Sequence, residues 1–263
     1  MFFKNVDCRP LKKLSSWRRI SLSAWSRPAD PSVYALLEVD MTKGLSLLER
    51  LTKETGAKLT VTHLLIKAVA KTLAKYPEIN VLIRRGKLYV RENVDVFVQV
   101  FVEEGGRADL SGAKVRNAHE KSLEQIAGEL KKQAEKIRTG QDPNLKTTKR
   151  SLKILTPRLM KWSIRFLEWL GYDLNISPKF LGLPPDPFGA AMITNVGMFG
   201  LKMGWAPLVP FSRTPIVLLA GEITPQSILN IGVTIDHRII DGFLGGRAAG
   251  ELKRLLENPD EMV

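Results

Sequence analysis

The sequence predicts a single α/β domain built on a mixed β-sheet with flanking helices. Three observations carry this reading. β-rich runs recur along the chain: VYALLEVDM (33–41), VDVFVQVFVE (94–103), GAAMITNVG (189–197), PIVLLAGEI (215–223) and LNIGVTID (229–236). Stretches with 3.6-residue apolar spacing alternate with them, and neither a fixed-period repeat nor a low-complexity linker divides the chain. At 263 residues and 44% hydrophobic, the chain is long enough to bury one large core.

Taken in order, residues 1–30 read as a basic N-terminal arm with Trp17 and Trp25, and residues 31–263 as one domain. Strand 33–41 is followed by Thr42, placed to cap a helix over about 43–55. Thr60 or Thr62 opens HLLIKAVAKTLAKY (63–76), in which Leu64, Leu65, Ala68, Val69, Leu73 and Ala74 share a face, and Pro77 stops it. INVLIRR, a turn at Gly86, KLYVRE and VDVFVQVFVE then read as consecutive strands. SLEQIAGELKKQAEKIRTG (122–140) is an amphipathic helix closed by Gly140. A final helix, 242–258, ends before Pro259.

Residues 145–187 stand apart as a basic, apolar insertion. The helix read within them, Pro157 to Gly171, is apolar almost all round. It is shorter than the roughly 20 residues a membrane span needs. The spacing leaves three readings: burial in the protein, a subunit contact, or a place on a membrane surface with Lys161 and Arg165 near the headgroups. Burial and assembly are preferred.

Charge excludes more than it assigns. The net charge is +13, but residues 1–27 and 131–179 contribute +6 and +8, so the rest of the chain is close to neutral. Such segments attract an anionic ligand or an acidic partner; with no interleaved stacking aromatics or DNA-reading motif, no nucleic acid is expected. One cysteine, Cys8, and three scattered histidines, His63, His119 and His237, leave no disulfide and no metal site expected. The absence of a spanning run or leader pattern predicts a cytoplasmic protein.

The sharpest feature is VTIDHRIIDG (233–242). His237 ends a β-rich run, where the backbone can hold an imidazole rigidly, and a neutral imidazole near pH 7 suits a general base acting on a thiol or hydroxyl. Asp241, one turn later, anchors the loop, and Gly242 lets the backbone turn into the following helix. The ordinary reading of these residues is a satisfied histidine at a helix entrance. A second element, MITNVGMFG (192–200), changes the balance. Thr194 and Asn195 end a strand with a hydroxyl and an amide that can donate to a developing oxyanion. His63 reads as a helix-entry residue and His119 as part of a polar loop.

These two motifs, in this order with PIVLLAGEI between them, resemble the catalytic domain of the dihydrolipoamide acyltransferases of 2-oxoacid dehydrogenase complexes, a family with the chloramphenicol acetyltransferase fold. LLEVDMTKG (36–44), THLLIKAVAKTLAKYPEIN (62–80), KSLEQIAGEL (121–130) and the terminal LLENP extend the likeness over about 16–140 and 188–263. The resemblance implies a two-layer chloramphenicol acetyltransferase-like fold and acyl transfer between a dihydrolipoyl thiol and coenzyme A, with acyl-CoA as substrate. It implies His237 as general base, Thr194 at the place of the family's oxyanion-stabilising hydroxyl, and Asp241 paired with an arm arginine, Arg18 or Arg19. It further implies homotrimers, or multiples of trimers, with His237 and Thr194 of one site on different chains.

The chain departs from that pattern in three ways. It leaves no room for lipoyl and subunit-binding domains, so the lipoyl group is expected only in trans, on a separate carrier protein or dehydrogenase partner. EEGGRADLSGAKVRNAHEKS (103–122) replaces the family's channel-lining stretch, and the 145–187 insertion is foreign to it. An oligomeric scaffold or partner-binding module that kept the fold without the activity is therefore the alternative function.

Overall fold

The structure, a computed structural model, describes residues 4–11, 15, 30–104, 107–138, 157–181 and 183–263. Its strands are β1 (Cys8–Pro10), β2 (Ser32–Asp40), β3 (Val81–Arg84), β4 (Lys87–Arg91), β5 (Val96–Glu104), β6 (Arg107–Val115), β7 (Ala191–Asn195), β8 (Ile216–Ile223) and β9 (Ile228–Asp236). Its helices are α1 (Thr42–Thr55), α2 (Val61–Lys75), α3 (Leu123–Arg138), α4 (Pro157–Glu168) and α5 (Gly242–Glu257).

Six strands form one sheet in the order β2-β9-β8-β7-β5-β6, with β7 parallel to both β5 and β8 and the other neighbours antiparallel. This is the mixed sheet expected. One face is covered by helices: the α2 stripe Leu64, Leu65, Ala68 and Leu73 packs in the same core as Val96, Ile193, Leu218 and Ile231, all essentially inaccessible. Each such leucine or isoleucine contributes about 2 kcal/mol by leaving water.

On the other face a chain segment lies against the middle of the sheet. Residues 201–205 cross β8 and β9 at Gly221 and Gly232, where a Cβ would lie 2.0 Å from the Lys202 carbonyl oxygen and 1.8 Å from that of Gly204. Only glycine admits that approach.

Several boundaries differ from expectation for identifiable reasons. Thr42 does not cap α1; Met41 occupies the cap position, and Thr42 donates its backbone N–H and hydroxyl to Asp40 Oδ1, at 2.9 and 2.6 Å. At α2, Thr60 is the cap, in a capping box whose N3 residue is His63. Strand β6 lies within a stretch read only as a departure from the family. It is the edge of the sheet, and Gly112 sits under the Phe97 ring, where a Cβ would be 1.8 Å from Cζ. The β3–β4 hairpin, turning at Arg85 and Gly86 with positive φ at both, joins β1 in a separate three-stranded sheet instead of extending the main one. Part of the expected arm, Cys8–Pro10, thus pairs with β4. Gly140, Trp17 and Trp25 lie outside the described residues.

The insertion helix is not buried. Leu159, Trp162 (68% accessible) and Phe166 point outward, and after Glu168 the chain widens into a π-turn, Trp169–Asp173. Two arginines from the body hold the insertion in place. Arg213 donates from Nε to Glu168 at 2.7 Å, from Nη2 to Asp173 at 3.2 Å and from Nη1 to the Ile83 carbonyl at 2.8 Å. Arg91, 2% accessible, donates to Asp186 at 3.1 Å, and the Tyr172 hydroxyl donates to the same carboxylate. Burial, with that carboxylate beside it, pushes the Tyr172 hydroxyl pKa well above its ordinary range.

Candidate active site

The end of β9 is pinned on both sides. Asp236 N–H donates to the Pro215 carbonyl and His237 N–H to the Pro31 carbonyl, each at 2.9 Å, while Ile239 and Ile240 fold back onto the Asp236 carbonyl. The buried side chains of Ile239 and Ile240 anchor this turn in the core. His237 Nδ1 lies 2.8 Å from the Ile240 carbonyl oxygen. A carbonyl only accepts, so Nδ1 carries the hydrogen, and in the neutral ring the lone pair is on Nε2. The geometry therefore presents Nε2 as a base.

Asp236 and Arg238, on either side of the histidine, form a further clamp that sequence reasoning missed. Arg238 donates to Asp236 through Nη2 at 2.6 Å, Nε at 2.9 Å and its backbone N–H at 3.0 Å. The signal was present as opposite charges flanking His237, two residues apart.

Asp241 is the N-cap of α5, its Oδ1 accepting from Leu244 N–H at 2.8 Å. Its expected partners, Arg18 and Arg19, lie outside the described residues. Gly242 does not serve as the flexible turn expected. Its φ is not in the left-handed region and a Cβ there would meet nothing within 4 Å; the Asp241 cap, not glycine, directs the chain into the helix.

Thr194 sits at the C-terminal end of β7. Ala191 and Ile193 join the helix-side core, so by strand alternation Thr194 faces the opposite side. It is half-buried, and its hydroxyl makes no hydrogen bond among the described residues. Asn195 is differently employed. Its Nδ2 donates to Thr62 Oγ1 at 3.1 Å, tying β7 to the start of α2, and its Oδ1 accepts from Gly197 N–H at 3.0 Å. The amide expected beside an oxyanion thus builds the turn that follows Thr194.

One chain does not bring His237 and Thr194 together. Thr194 pairs with Leu219 and Leu219 with Gly232, five residues before His237 on a strand antiparallel to β7. Five residues at about 3.3 Å, together with two strand spacings of about 4.8 Å, separate them by roughly 19 Å, at opposite ends of the sheet. Beyond Thr194 lies an exposed apolar belt of Met198, Phe199, Leu201, Met203 and Trp205. The belt reaches β2, where the Trp205 indole N–H donates to the Ala35 carbonyl and its ring meets Tyr34 edge-on.

His63 is occupied elsewhere: its Nδ1 accepts from Thr60 N–H at 3.0 Å, and burial lowers its pKa. His119 Nδ1 is buried and has no hydrogen-bond partner among the described residues. Among the described residues no helix is long and apolar enough to cross a membrane.

Comparison with known proteins places this geometry among relatives. A family model described as "2-oxoacid dehydrogenases acyltransferase (catalytic domain)" matches residues 12–149 and 189–263. The lipoamide acyltransferase component of the branched-chain alpha-keto acid dehydrogenase complex of Bacillus subtilis is 24% identical over 241 residues, covering 90% of this chain and 49% of that protein. The dihydrolipoyllysine-residue acetyltransferase component of the pyruvate dehydrogenase complex of Rickettsia bellii is 26% identical over 251 residues, covering 90% and 50%. The chain thus spans about half the length of these relatives. In structure, the cubic core of a pyruvate dehydrogenase multienzyme complex aligns with TM-score 0.63 at 19% identity, over 96% of this chain and 93% of that one. A chloramphenicol acetyltransferase aligns with TM-score 0.53 at 13% identity, over 95% and 99%. The fold is the chloramphenicol acetyltransferase-like one expected.

Proposed function

The chain belongs to the family of 2-oxoacid dehydrogenase acyltransferase catalytic domains, and from that premise we propose that it transfers an acyl group between coenzyme A and a thiol carrier of the dihydrolipoyl type. The observation that carries the reading is the orientation of His237, whose Nδ1–H is held by the Ile240 carbonyl at 2.8 Å so that Nε2 is the basic nitrogen.

In the forward step Nε2 takes the proton of the attacking thiol, and the sulfur forms a bond to the thioester carbonyl carbon. The carbonyl oxygen becomes an oxyanion, which accepts a hydrogen bond from a Thr194 hydroxyl. Collapse of the tetrahedral species breaks the bond to the original sulfur, which leaves with the proton held on Nε2. No net proton, electron or water is consumed.

His237 and Thr194 stand at opposite ends of the sheet in one chain, so a site that uses both is made by two copies. The exposed belt from Met198 to Trp205, beside Thr194, is an apolar surface suited to that contact. We read the assembly as a homotrimer, in which each copy offers its histidine to the next. Relatives named for branched-chain acyl and acetyl transfer match equally long parts of the chain, and the acyl group remains the variable to be measured.

The test is acyl exchange between a panel of acyl-CoAs and dihydrolipoamide, read as released CoA thiol, with wild type beside His237→Ala. Turnover lost by about 10²-fold or more in the variant supports the reading. A folded protein with equal turnover in both overturns the role given to His237, and one with no turnover on any acyl-CoA overturns the reading in favour of an oligomeric scaffold.

A further inference from the structure

Residues 150–188 fall outside the family match, yet Arg213 fastens Glu168 and Asp173 of this segment to the body, and Arg91 fastens Asp186. The helix so held, α4, forms one wall of a cavity of about 1030 Å³, at the upper end of the range for ligand pockets. The 207–211 loop and the β3–β4 turn also line it. The remaining side is the backbone that carries the histidine: Pro31, whose carbonyl accepts from His237 N–H, and Asp236 and Arg238.

The charges in this cavity do not cancel locally. Glu168 and Asp173 are engaged by Arg213, and Asp236 by Arg238. Arg85 and Lys161 form no ion pair among the described residues, and Arg165 lies over the Trp162 ring at 5.9 Å. Asp30 is the one other acid in the lining, and it accepts from Ser32. The lining holds five cations against four carboxylates, and Arg85, Lys161 and Arg165 are the three cations not engaged by a carboxylate among the described residues, while Met160, Ile164, Leu208, Val209 and Phe211 supply an apolar surface beside them. This combination suits an organic molecule with an apolar body and an anionic end.

We propose that the insertion makes a site for a phosphate-bearing pantetheine arm, with Lys161, Arg165 and Arg85 on the phosphate and the apolar wall along the arm. The proposal deepens the acyltransferase reading and rests on it. Two sources share this chemistry, free coenzyme A and a phosphopantetheine group carried on a protein, and they differ in the 3′-phosphoadenosine portion.

Equilibrium binding tests it without requiring turnover. Coenzyme A, dephospho-coenzyme A, 4′-phosphopantetheine and unphosphorylated pantetheine are titrated into wild type and into Lys161→Ala/Arg165→Ala, whose two changed side chains are exposed on α4. The expected result is at least tenfold weaker binding of every phosphorylated thiol by the double variant, with pantetheine unchanged. Preference for coenzyme A over phosphopantetheine identifies the free cofactor as the source; equal binding identifies a carrier-borne arm. Equal affinity of wild type and variant for all phosphorylated thiols overturns the proposal. His237→Ala separates the two readings. If that variant keeps full turnover while Lys161→Ala/Arg165→Ala loses binding, the catalytic reading fails and the site stands. The reverse pattern removes the site alone.

Discussion

The Ile240 carbonyl accepts the Nδ1–H of His237 at 2.8 Å, so the ring is oriented by the backbone of a residue three positions on. The following residue, Asp241, keeps that backbone in place by capping α5 through Leu244 N–H. Asp241→Ala is expected to cost about 1 kcal/mol in stability, the usual loss of an N-cap, and to lower kcat as Ile240 loosens. Asp241→Asn retains a capping oxygen and should keep the stability. Chemical denaturation of the pair checks this. If Asn is as destabilising as Ala, the carboxylate's charge rather than the cap holds the turn.

The roughly 19 Å between His237 and Thr194 makes a complementation test decisive. Thr194→Ala is expected to reduce kcat by about 10²- to 10³-fold, as removal of an oxyanion donor does, and Thr194→Ser to retain most activity. Co-expressed His237→Ala and Thr194→Ala chains should then regain activity, because about one interface in four of a random assembly joins an intact histidine to an intact threonine. Mixed assemblies as inactive as either parent would show that the two residues do not share a site.

Gly232 and Gly204 approach so closely that a Cβ on Gly232 would sit 1.8 Å from the Gly204 carbonyl oxygen. Gly232→Ala must displace the backbone of residues 201–205, and with it the belt of Leu201, Met203 and Trp205. A lower Tm together with a shift to smaller species in light scattering is expected. A lower Tm with an unchanged oligomer would mean that the belt is not the contact between copies.

Legibility in the sequence followed burial. β8, β9 and α2 were readable because one or both faces enter the core, and so their apolar positions keep the period of the element. β6 was not, because it is an edge strand whose Gly112 is set by the Phe97 ring across from it, a reason that exists only after pairing. Of the small sheet, β3 and β4 were readable on either side of the Gly86 turn, whereas β1 was not, being three residues long, too short to carry a period. At the site, His237, Asp241 and Thr194 could be picked out by residue type and local position. The Asp236–Arg238 clamp and the reassignment of Asn195 depend on partners revealed by the fold. The insertion misled through composition, since aromatic residues that suggested burial lie on the outer face of α4.

Arg213 is the hinge pin of that insertion, about one-tenth accessible and bonded to Glu168, Asp173 and the Ile83 carbonyl. Removing it leaves two poorly hydrated carboxylates without their cation, and breaking such a pair costs about 3–5 kcal/mol. Arg213→Ala should show that loss in urea denaturation and faster proteolysis within 157–181. Arg213→Lys, which cannot reproduce the forked contacts, should recover only part of it. Full recovery by lysine would mean that charge alone holds the helix.

His63 offers a pH-dependent test of the capping box at α2. Its Nδ1 must carry a lone pair to accept from Thr60 N–H, and burial holds its pKa below 6.5 in the folded chain. Above pH 6.5 both folded and unfolded chains hold it neutral, and its contribution to stability is complete. As pH falls below 6.5 the unfolded chain takes the proton first, so stability declines until the folded-state pKa is passed. Glutamine at this position can complete the same box through an amide oxygen that does not titrate. His63→Gln should therefore match wild type in urea midpoint at pH 7.5 and exceed it at pH 5. Parallel declines in the two proteins between those values would show that protonation of His63 is not linked to folding.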